Sequence, residues 1–193
     1  MYFAYALVLI FFIFDIWLGI KLFEYAFCAF VRHQPPFVAA NKKMRNAVAN
    51  EILTHYADAQ TICEIGSGHG GLARYLARRC KKQVFAVENM PFSVFVSKIK
   101  GLFLGRRCRT VWADAFEWLK DVQVPIDIVV AYLSPQMTPR IAEYNDKFGV
   151  FIAIDFEVPG RKPVRVIDVG EGCTVYGGKK YPHKLFVYEF KKS

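Results

Sequence analysis

The sequence predicts an α/β fold with a mostly parallel sheet, preceded by a hydrophobic helix. Three observations predict it. Residues 1–31 are almost entirely apolar. From Thr61 onward, short apolar runs alternate with segments of helical character, which is typical of parallel strands joined by helices. The last two predicted strands have no helix between them, which favours an antiparallel pair at the end of the sheet.

Composition limits the size of the fold and the kind of partner. The chain has 193 residues, which suits one domain and an appendage. The net charge is +9, and residues 1–31 contribute almost nothing to it. The excess therefore belongs to residues 32–193, and a basic surface favours a phospholipid headgroup, a nucleic acid or an acidic protein face. Five cysteines without a C-x-x-C pair make a disulfide framework or a zinc site unexpected, and we expect no metal.

Residues 1–31 are predicted to be a membrane-anchoring helix. The first 20 residues would span about 30 Å as a helix, enough for the hydrocarbon core. Neither a basic n-region nor a small-x-small cleavage site is present, so an uncleaved, single-pass anchor is expected. Asp15 opposes a span, because a carboxylate at mid-bilayer costs a few kcal/mol, and a helix lying in the interface or packed on the domain stays an alternative. The cations that follow place the domain on the cytoplasmic side by the positive-inside rule: Lys21, Arg32, Lys42, Lys43 and Arg45.

The elements of residues 32–193 follow from apolar periodicity and turn signals. Gln34-Pro35-Pro36 ends the first helix. Strands are predicted at Thr61–Ile65, Gln83–Glu88, Arg109–Trp112, Ile126–Tyr132, Val150–Phe156, Val164–Val169 and Leu185–Phe190. Helices are predicted at Asn41–Tyr56 with Asn41 as N-cap, Gly71–Arg79, Pro91–Leu104, Ala115–Leu119 and Thr138–Lys147. The glycines and the proline of residues 170–182 are expected to lie outside strands.

A glycine-rich turn joins the first strand to the next helix. Gly66-Ser67-Gly68-His69-Gly70-Gly71 brings backbone N–H groups close to a ligand, because glycine has no side chain in the way. The same residues satisfy G-x-G-x-x-G, the dinucleotide fingerprint. The glycines alone therefore leave a nicotinamide or flavin enzyme open.

Three acidic residues at predicted strand ends favour S-adenosylmethionine over a dinucleotide. Glu64 precedes the turn, where it can hold the ammonium of a methionine moiety and would repel a pyrophosphate. Glu88 ends the second strand and can accept hydrogen bonds from ribose hydroxyls, as it would in a dinucleotide site. Asp114 follows the third strand and can accept from the exocyclic amine of adenine.

These motifs resemble those of the class I, seven-stranded, S-adenosylmethionine-dependent methyltransferases. Glu64 to Gly70 is similar to the first motif of that class, Glu88 to the acid after the second strand, and Asp114 to the adenine-contacting acid. The resemblance implies a Rossmann-like three-layer sandwich over residues 32–193, with a seven-stranded, mostly parallel sheet and an antiparallel last strand. The cofactor-contacting residues it implies are Phe37, Glu64, Gly66, Ser67, Gly68, Gly70, Glu88, Asn89, Asp114 and Ala115.

A narrower resemblance is to the small membrane-anchored protein-lysine methyltransferases of the ATP synthase c-subunit and adenine nucleotide translocase type and their prokaryotic relatives. It rests on the hydrophobic segment, Pro36-Phe37-Val38, Tyr132-Leu133-Ser134-Pro135 and residues 156–163. It implies methyl transfer to an acceptor at or in the membrane, a protein lysine, with Tyr132, Ser134 and Pro135 near it. The chain departs from that family at Glu64, where aspartate is usual, at His69, where an acid or polar residue is usual, and at Ala39, where proline is usual.

No catalytic residue follows from the sequence. Tyr132, His69 and His183 are candidates for a general base by residue type only. We expect His69 to cap the turn, His183 to lie in a surface turn, and Asp127 to be structural. Open alternatives are a lipid or small lipophilic amine as acceptor, and a non-catalytic, membrane-tethered cofactor-binding domain. No nucleic acid partner is expected.

Overall fold

The computed structural model describes residues 2–26, 38–102 and 107–190, and the chain forms two compact units, residues 1–37 and 38–193. The first unit contains helix α1 (Tyr2–Ala26), which lies within the predicted segment. Side chains 5–19 are all exposed, although nearly all are apolar. In the portion of the chain that is described, no helix is long and apolar enough to cross a membrane.

The second unit is a seven-stranded sheet with helices on both faces. Its strands are β1 (Thr61–Ile65), β2 (Gln83–Glu88), β3 (Cys108–Trp112), β4 (Ile126–Ala131), β5 (Phe148–Ile154), β6 (Arg165–Tyr176) and β7 (Lys179–Glu189). Its helices are α2 (Lys42–His55), α3 (Gly71–Arg79), α4 (Pro91–Gly101), α5 (Ala115–Asp121) and α6 (Thr138–Ala142). The strand order is β3-β2-β1-β4-β5-β7-β6.

Strands β1 to β5 are parallel, whereas β7 is antiparallel to both of its neighbours. This confirms the predicted three-layer, seven-stranded fold. Side chains alternate between two cores, because successive residues of a strand point to opposite faces. Ile62 packs into the core beneath α2 and α3, and Cys63 into the core beneath α5 and α6.

One predicted helix agrees closely with the structure and another ends early. Helix α2 begins as predicted, and Oδ1 of its N-cap Asn41 accepts a hydrogen bond from Met44 N at 2.9 Å. Helix α6 ends at Ala142 rather than Lys147. The chain continues in tight turns there, with Tyr144 N bonded to Ile141 O. Asn145 and Asp146 compete with helical backbone bonds, which explains the early end.

The C-terminal hairpin is much longer than the sequence analysis predicted. The glycines and the proline of residues 170–182 were expected to lie outside strands, which is wrong for Gly170, Gly172 and Pro182. Gly177 and Gly178 form the two-residue turn of the hairpin, both with positive φ (55° and 75°). Gly170 and Gly172 lie where the β6–β7 register shifts, and glycine is the usual residue at such an irregularity.

This long hairpin extends past the carboxyl end of the parallel sheet. Leu185 of β7 pairs with Ile154, the last residue of β5, so residues 179–184 lie beyond that edge. The hairpin therefore adds side chains to the edge at which ligands of open α/β sheets bind.

The left-handed backbone of Gly177 predicts that substitutions there lower the free energy of unfolding by different amounts. No atom lies within 4 Å of the Cβ position, so backbone conformation alone decides the effect. We expect Gly177→Val to lower the free energy of unfolding by about 1–2 kcal/mol, because L-residues resist left-handed backbone, and Gly177→Asn to cost less. Urea unfolding of both variants measures this, and equal midpoints for wild type and the valine variant would contradict the assigned turn.

Candidate functional site

The glycine turn is a rigid loop fastened to the neighbouring strand. Gly66, Gly68 and Gly70 all have left-handed backbone, with φ of 69°, 51° and 66°. The N–H groups of Gly66 and Ser67 donate to Val87 O at 3.0 and 3.1 Å, so the turn is tied to the end of β2. The predicted strand–turn–helix connection is confirmed.

Two of these glycines also lack room for a side chain. A Cβ at Gly66 would lie 2.6 Å from Leu133 Cδ2, in the segment after β4. A Cβ at Gly70 would overlap Ser97 Oγ of α4. The turn, which follows β1, is therefore packed between the segment after β4 and helix α4, which follows β2.

Ser67 carries a polar atom that the described residues do not satisfy. The residue is 1% exposed, and its Oγ has no hydrogen-bond partner in the described part of the protein. A buried hydroxyl without a partner costs about 1–3 kcal/mol. A polar ligand seated on the turn would remove that cost, so the turn is suited to a hydrogen-bonding ligand.

Glu88 holds the turn to the beginning of α4. Its Oε2 accepts from Gly68 N at 2.7 Å, and its Oε1 accepts from Asn89 N at 2.9 Å and Met90 N at 2.8 Å. The residue is buried. The structure thus places Glu88 and Asn89 beside the glycines, as the sequence predicted.

Glu64 lies beneath the turn and bonds the first turn of α3. Its Oε2 accepts from Ala73 N at 2.7 Å. Burial raises the pKa of Glu64 to about 8, and the Glu88 carboxylate adds to the increase. The Ala73 hydrogen bond and the guanidinium groups of Arg45 and Arg74 act in the opposite direction.

The sequence analysis missed these two arginines. Arg45 Nε donates to Ala40 O at 2.7 Å, and its guanidinium lies 3.4 Å from the Cβ position of Gly71. Arg74 Nη1 donates to His69 O at 2.6 Å. Both cations flank the beginning of α3, where they can pair with a ligand carboxylate. Of the two, only Arg74 could have been noticed in the sequence. It is a basic residue near the beginning of a helix, where acidic residues are preferred.

Asp114 and Ala115 begin helix α5 at the same edge of the sheet. Asp114 Oδ1 accepts from Phe116 N at 2.9 Å and Glu117 N at 3.3 Å, so the exposed aspartate is an N-cap. Because β3, β2 and β1 are neighbours, Asp114, Glu88 and the glycine turn share one edge, as predicted.

The three residues expected near an acceptor follow β4. Ser134 is buried, and its carbonyl accepts from Met137 N and Thr138 N at the beginning of α6. Pro135 is half-buried beside it. The Tyr132 hydroxyl donates to Asp155 Oδ2 at 2.9 Å.

The remaining candidates have different outcomes. His183 was expected in a surface turn, which is wrong: it belongs to β7, its side chain is 12% exposed, and its Nδ1 lies 3.0 Å from Asp155 Oδ2. Its strand was missed because the glycines of the hairpin resembled a loop. The ring of His69, expected to cap the turn, packs edge-on against Phe92 at 6.3 Å between ring centroids.

Asp127 is structural, as predicted, since its Oδ2 accepts from Gln60 N and Thr61 N at the opposite edge of the sheet. Phe37 lies outside the described residues. The described residues contain no group of three or more His, Cys, Asp or Glu side chains that could hold a metal ion.

Comparison with solved structures shows the fold of methyltransferases. An RNA methyltransferase from Salinibacter ruber in complex with S-adenosyl-L-homocysteine has a TM-score of 0.60 and 17% identity, covering 81% of this chain and 95% of its own. The precorrin-6y C5,15-methyltransferase of Geobacter metallireducens has a TM-score of 0.60 and 15% identity, covering 82% and 93%.

TrmK of M. capricolum, in complex with S-adenosyl-homocysteine, has a TM-score of 0.59 and 17% identity, covering 79% of this chain and 70% of its own. No protein-family model and no curated protein matches the chain. The likeness to these three structures shows that the protein has the Rossmann-like fold of the class I methyltransferases.

The raised pKa of Glu64 predicts a pH-dependent stability. Its carboxyl is protonated in the folded protein up to about pH 8, but only to about pH 4.5 when unfolded. The stabilisation is fully present below the unfolded pKa and is lost as the pH rises toward 8. Urea unfolding between pH 5 and 8 should show that Glu64→Gln reduces this loss. The exposed Glu143→Gln is the control, and parallel profiles for wild type and Glu64→Gln would contradict the prediction.

Proposed function

We propose that the protein transfers a methyl group from S-adenosylmethionine to an amine acceptor at a membrane, a protein lysine side chain. The observation that carries the cofactor assignment is the glycine turn with its buried Ser67 Oγ, at the carboxyl edge of β1. There the strand order reverses between β1 and β4, which is where open α/β sheets bind ligands.

The charges around the turn fit this cofactor better than a dinucleotide. Glu64 can pair with the amino group of a methionine moiety, and Arg45 and Arg74 with its carboxylate. Glu88 lies where it can accept from ribose hydroxyls. A nicotinamide or flavin dinucleotide has no amino acid ammonium to pair with Glu64, which disfavours these alternatives.

The chemistry asks little of the protein beyond alignment. When bound, the cofactor supplies a methyl group on a sulfonium, which is already an activated leaving group. The fixed backbone of the turn and the side chains after β4 hold the reactants in line and exclude water.

Three observations support a membrane-located acceptor. Side chains 5–19 of α1 are exposed on every side and, except for Asp15, are almost all apolar, a pattern typical of helices that meet another apolar phase. On α4, Phe95, Ile99 and Leu102 form an exposed apolar stripe beside Lys98 and Lys100. The excess cations suit anionic lipid. We propose attachment through the first 31 residues, with the domain on the cytoplasmic side.

Cofactor binding is tested by calorimetric titration with S-adenosylhomocysteine and with NAD. We expect binding of S-adenosylhomocysteine alone, and about tenfold weaker binding by Gly70→Ala, because the new Cβ displaces the turn that donates to the ligand. Gly160→Ala is the matched control, since Gly160 also has positive φ (75°) but nothing within 4 Å of its Cβ position. Tight NAD binding without a response to S-adenosylhomocysteine would overturn the cofactor assignment.

The acceptor is tested by incubating the full chain with membranes, total RNA and methyl-tritiated S-adenosylmethionine. Protein, lipid and RNA are then separated and counted, with Gly70→Ala as the low-activity control. We expect label in membrane protein, recovered as methylated lysine after hydrolysis. Label in lipid alone would favour the lipid-amine alternative, and label in RNA would reject the membrane acceptor.

A further inference from the structure

A buried carboxylate lies at the carboxyl edge of the sheet, outside the residues assigned to the cofactor. Asp155 follows β5, and its side chain is fully buried. Oδ2 accepts from Tyr132 Oη at 2.9 Å and Thr174 Oγ1 at 2.7 Å, and lies 3.0 Å from His183 Nδ1. Oδ1 accepts from Lys184 N at 3.2 Å. The segment after β4, the end of β5 and both strands of the hairpin meet at this group.

The charge partner and the backbone conformation of Asp155 are both unusual for a residue with a purely structural role. A buried carboxylate needs a partner charge or ligand, and among the described residues its ion pair is with His183 rather than with lysine or arginine. Its φ is +65°, a conformation that costs a non-glycine residue about 1–3 kcal/mol and is concentrated at functional sites.

The contact with Asp155 defines the state of the His183 ring. Because a carboxylate accepts, Nδ1 carries the proton, and in the neutral ring Nε2 then keeps its lone pair. Nε2 faces Gly172, where a Cβ would lie only 2.8 Å away. The lack of a side chain at Gly172 therefore leaves space beside this nitrogen.

This pair is close to the proposed cofactor turn. Tyr132 follows β4, whose last residue, Ala131, pairs with Ile65 at the end of β1. The next side chain, Leu133, packs on Gly66. The glycine turn follows β1 and Asp155 follows β5, and the strand between them, β4, is followed by Tyr132 at the same edge.

Aromatic residues lie near the pair in the chain and in the hairpin register, where Tyr181 pairs with Thr174, the residue that bonds Asp155. Phe156 follows Asp155, and its ring lies 4.7 Å from that of Tyr181 and 6.1 Å from that of Tyr176, between centroids. Aromatic faces beside a buried carboxylate attract an ammonium group.

We infer that this cluster is the acceptor subsite, in which His183 Nε2 removes a proton from the ammonium of the acceptor and Asp155 positions the imidazole. The inference rests on the proposed methyl transfer and specifies its site. The N–H bond of the ammonium breaks, and an Nε2–H bond forms. The amine lone pair then attacks the methyl carbon, and the C–S electrons remain on sulfur. The imidazolium finally returns its proton to water.

The neighbouring groups agree with these roles. Burial, followed by the Asp155 carboxylate, raises the pKa of Tyr132, so its phenol stays protonated and donates. From β6, the Thr174 hydroxyl adds a second donor to the same carboxylate. Tyr132 and Thr174 therefore position Asp155, and His183 is the group left to accept a proton.

The first test is nitrogen-15 NMR of the imidazoles in the full chain, titrated with n-butylammonium and, as control, n-butanol. His183→Gln assigns the resonance. We expect the Nδ1–H tautomer for His183, and a shift of its nitrogens with n-butylammonium but not with n-butanol. Asp155→Asn, and the milder Thr174→Val should the first variant not fold, should weaken that response. An Nε2–H tautomer, or no response to n-butylammonium, would overturn the inference.

The second test is the pH profile of methyl transfer to the fraction that takes label. We expect His183→Gln to lower the rate near neutral pH and to move the profile toward that of a free lysine amine, about pH 10.4. The affinity for S-adenosylhomocysteine should not change, and the exposed His55→Gln is the control. An unchanged profile in His183→Gln would reject the role of His183. If no fraction takes label, the proposed function fails, and the NMR titration still decides whether this cluster binds an amine.

Discussion

The carboxylate of Glu88 is the interaction on which the site depends. It accepts from three backbone N–H groups, those of Gly68, Asn89 and Met90, at distances of 2.7 to 2.9 Å. A buried carboxylate is tolerated when such donors surround it, and buried amides likewise need acceptors. One side chain therefore satisfies the glycine turn and the start of α4 together, and it fixes the spacing between the ends of β1 and β2.

Each acidic residue found at a strand end also serves the fold. Glu64 bonds the first turn of α3, and Asp114 caps α5, since carboxylates are favoured at helix N-termini. Helix N-termini thus account in part for acids at these positions, and such acids are weaker evidence about the ligand than groups that the helices do not require. The unsatisfied Ser67 hydroxyl and the cations Arg45 and Arg74 say more about the ligand, because capping does not require them.

Much of the fold could be predicted from local sequence, but the cluster around Asp155 could not. The bounds of β1 and β2 were predicted correctly, because each is a short apolar run that ends at a clear turn signal. The partners of Asp155, in contrast, are 19 to 29 residues away along the chain. In the sequence, Gly172 and Gly177 favoured the prediction of a loop. In the structure, Gly172 lies at the irregularity between β6 and β7, and Gly177 lies in the tight turn of the hairpin. Residues brought together only by the hairpin leave no local pattern to detect.

The strand order divides the edge into two chemical halves. Strands β1, β2 and β3 end in the glycine turn, Glu88 and Asp114, whereas β4 and β5 end in Tyr132 and Asp155. The tip of the hairpin is held at the second half by a 2.7 Å bond from Tyr176 Oη to Gln136 Oε1. The conformation of the first half depends on its glycines, so it tolerates little change. The second half is built from side chains on a hairpin, whose length can vary without disturbing the parallel strands. Under the proposed function, acceptor choice therefore depends on the hairpin.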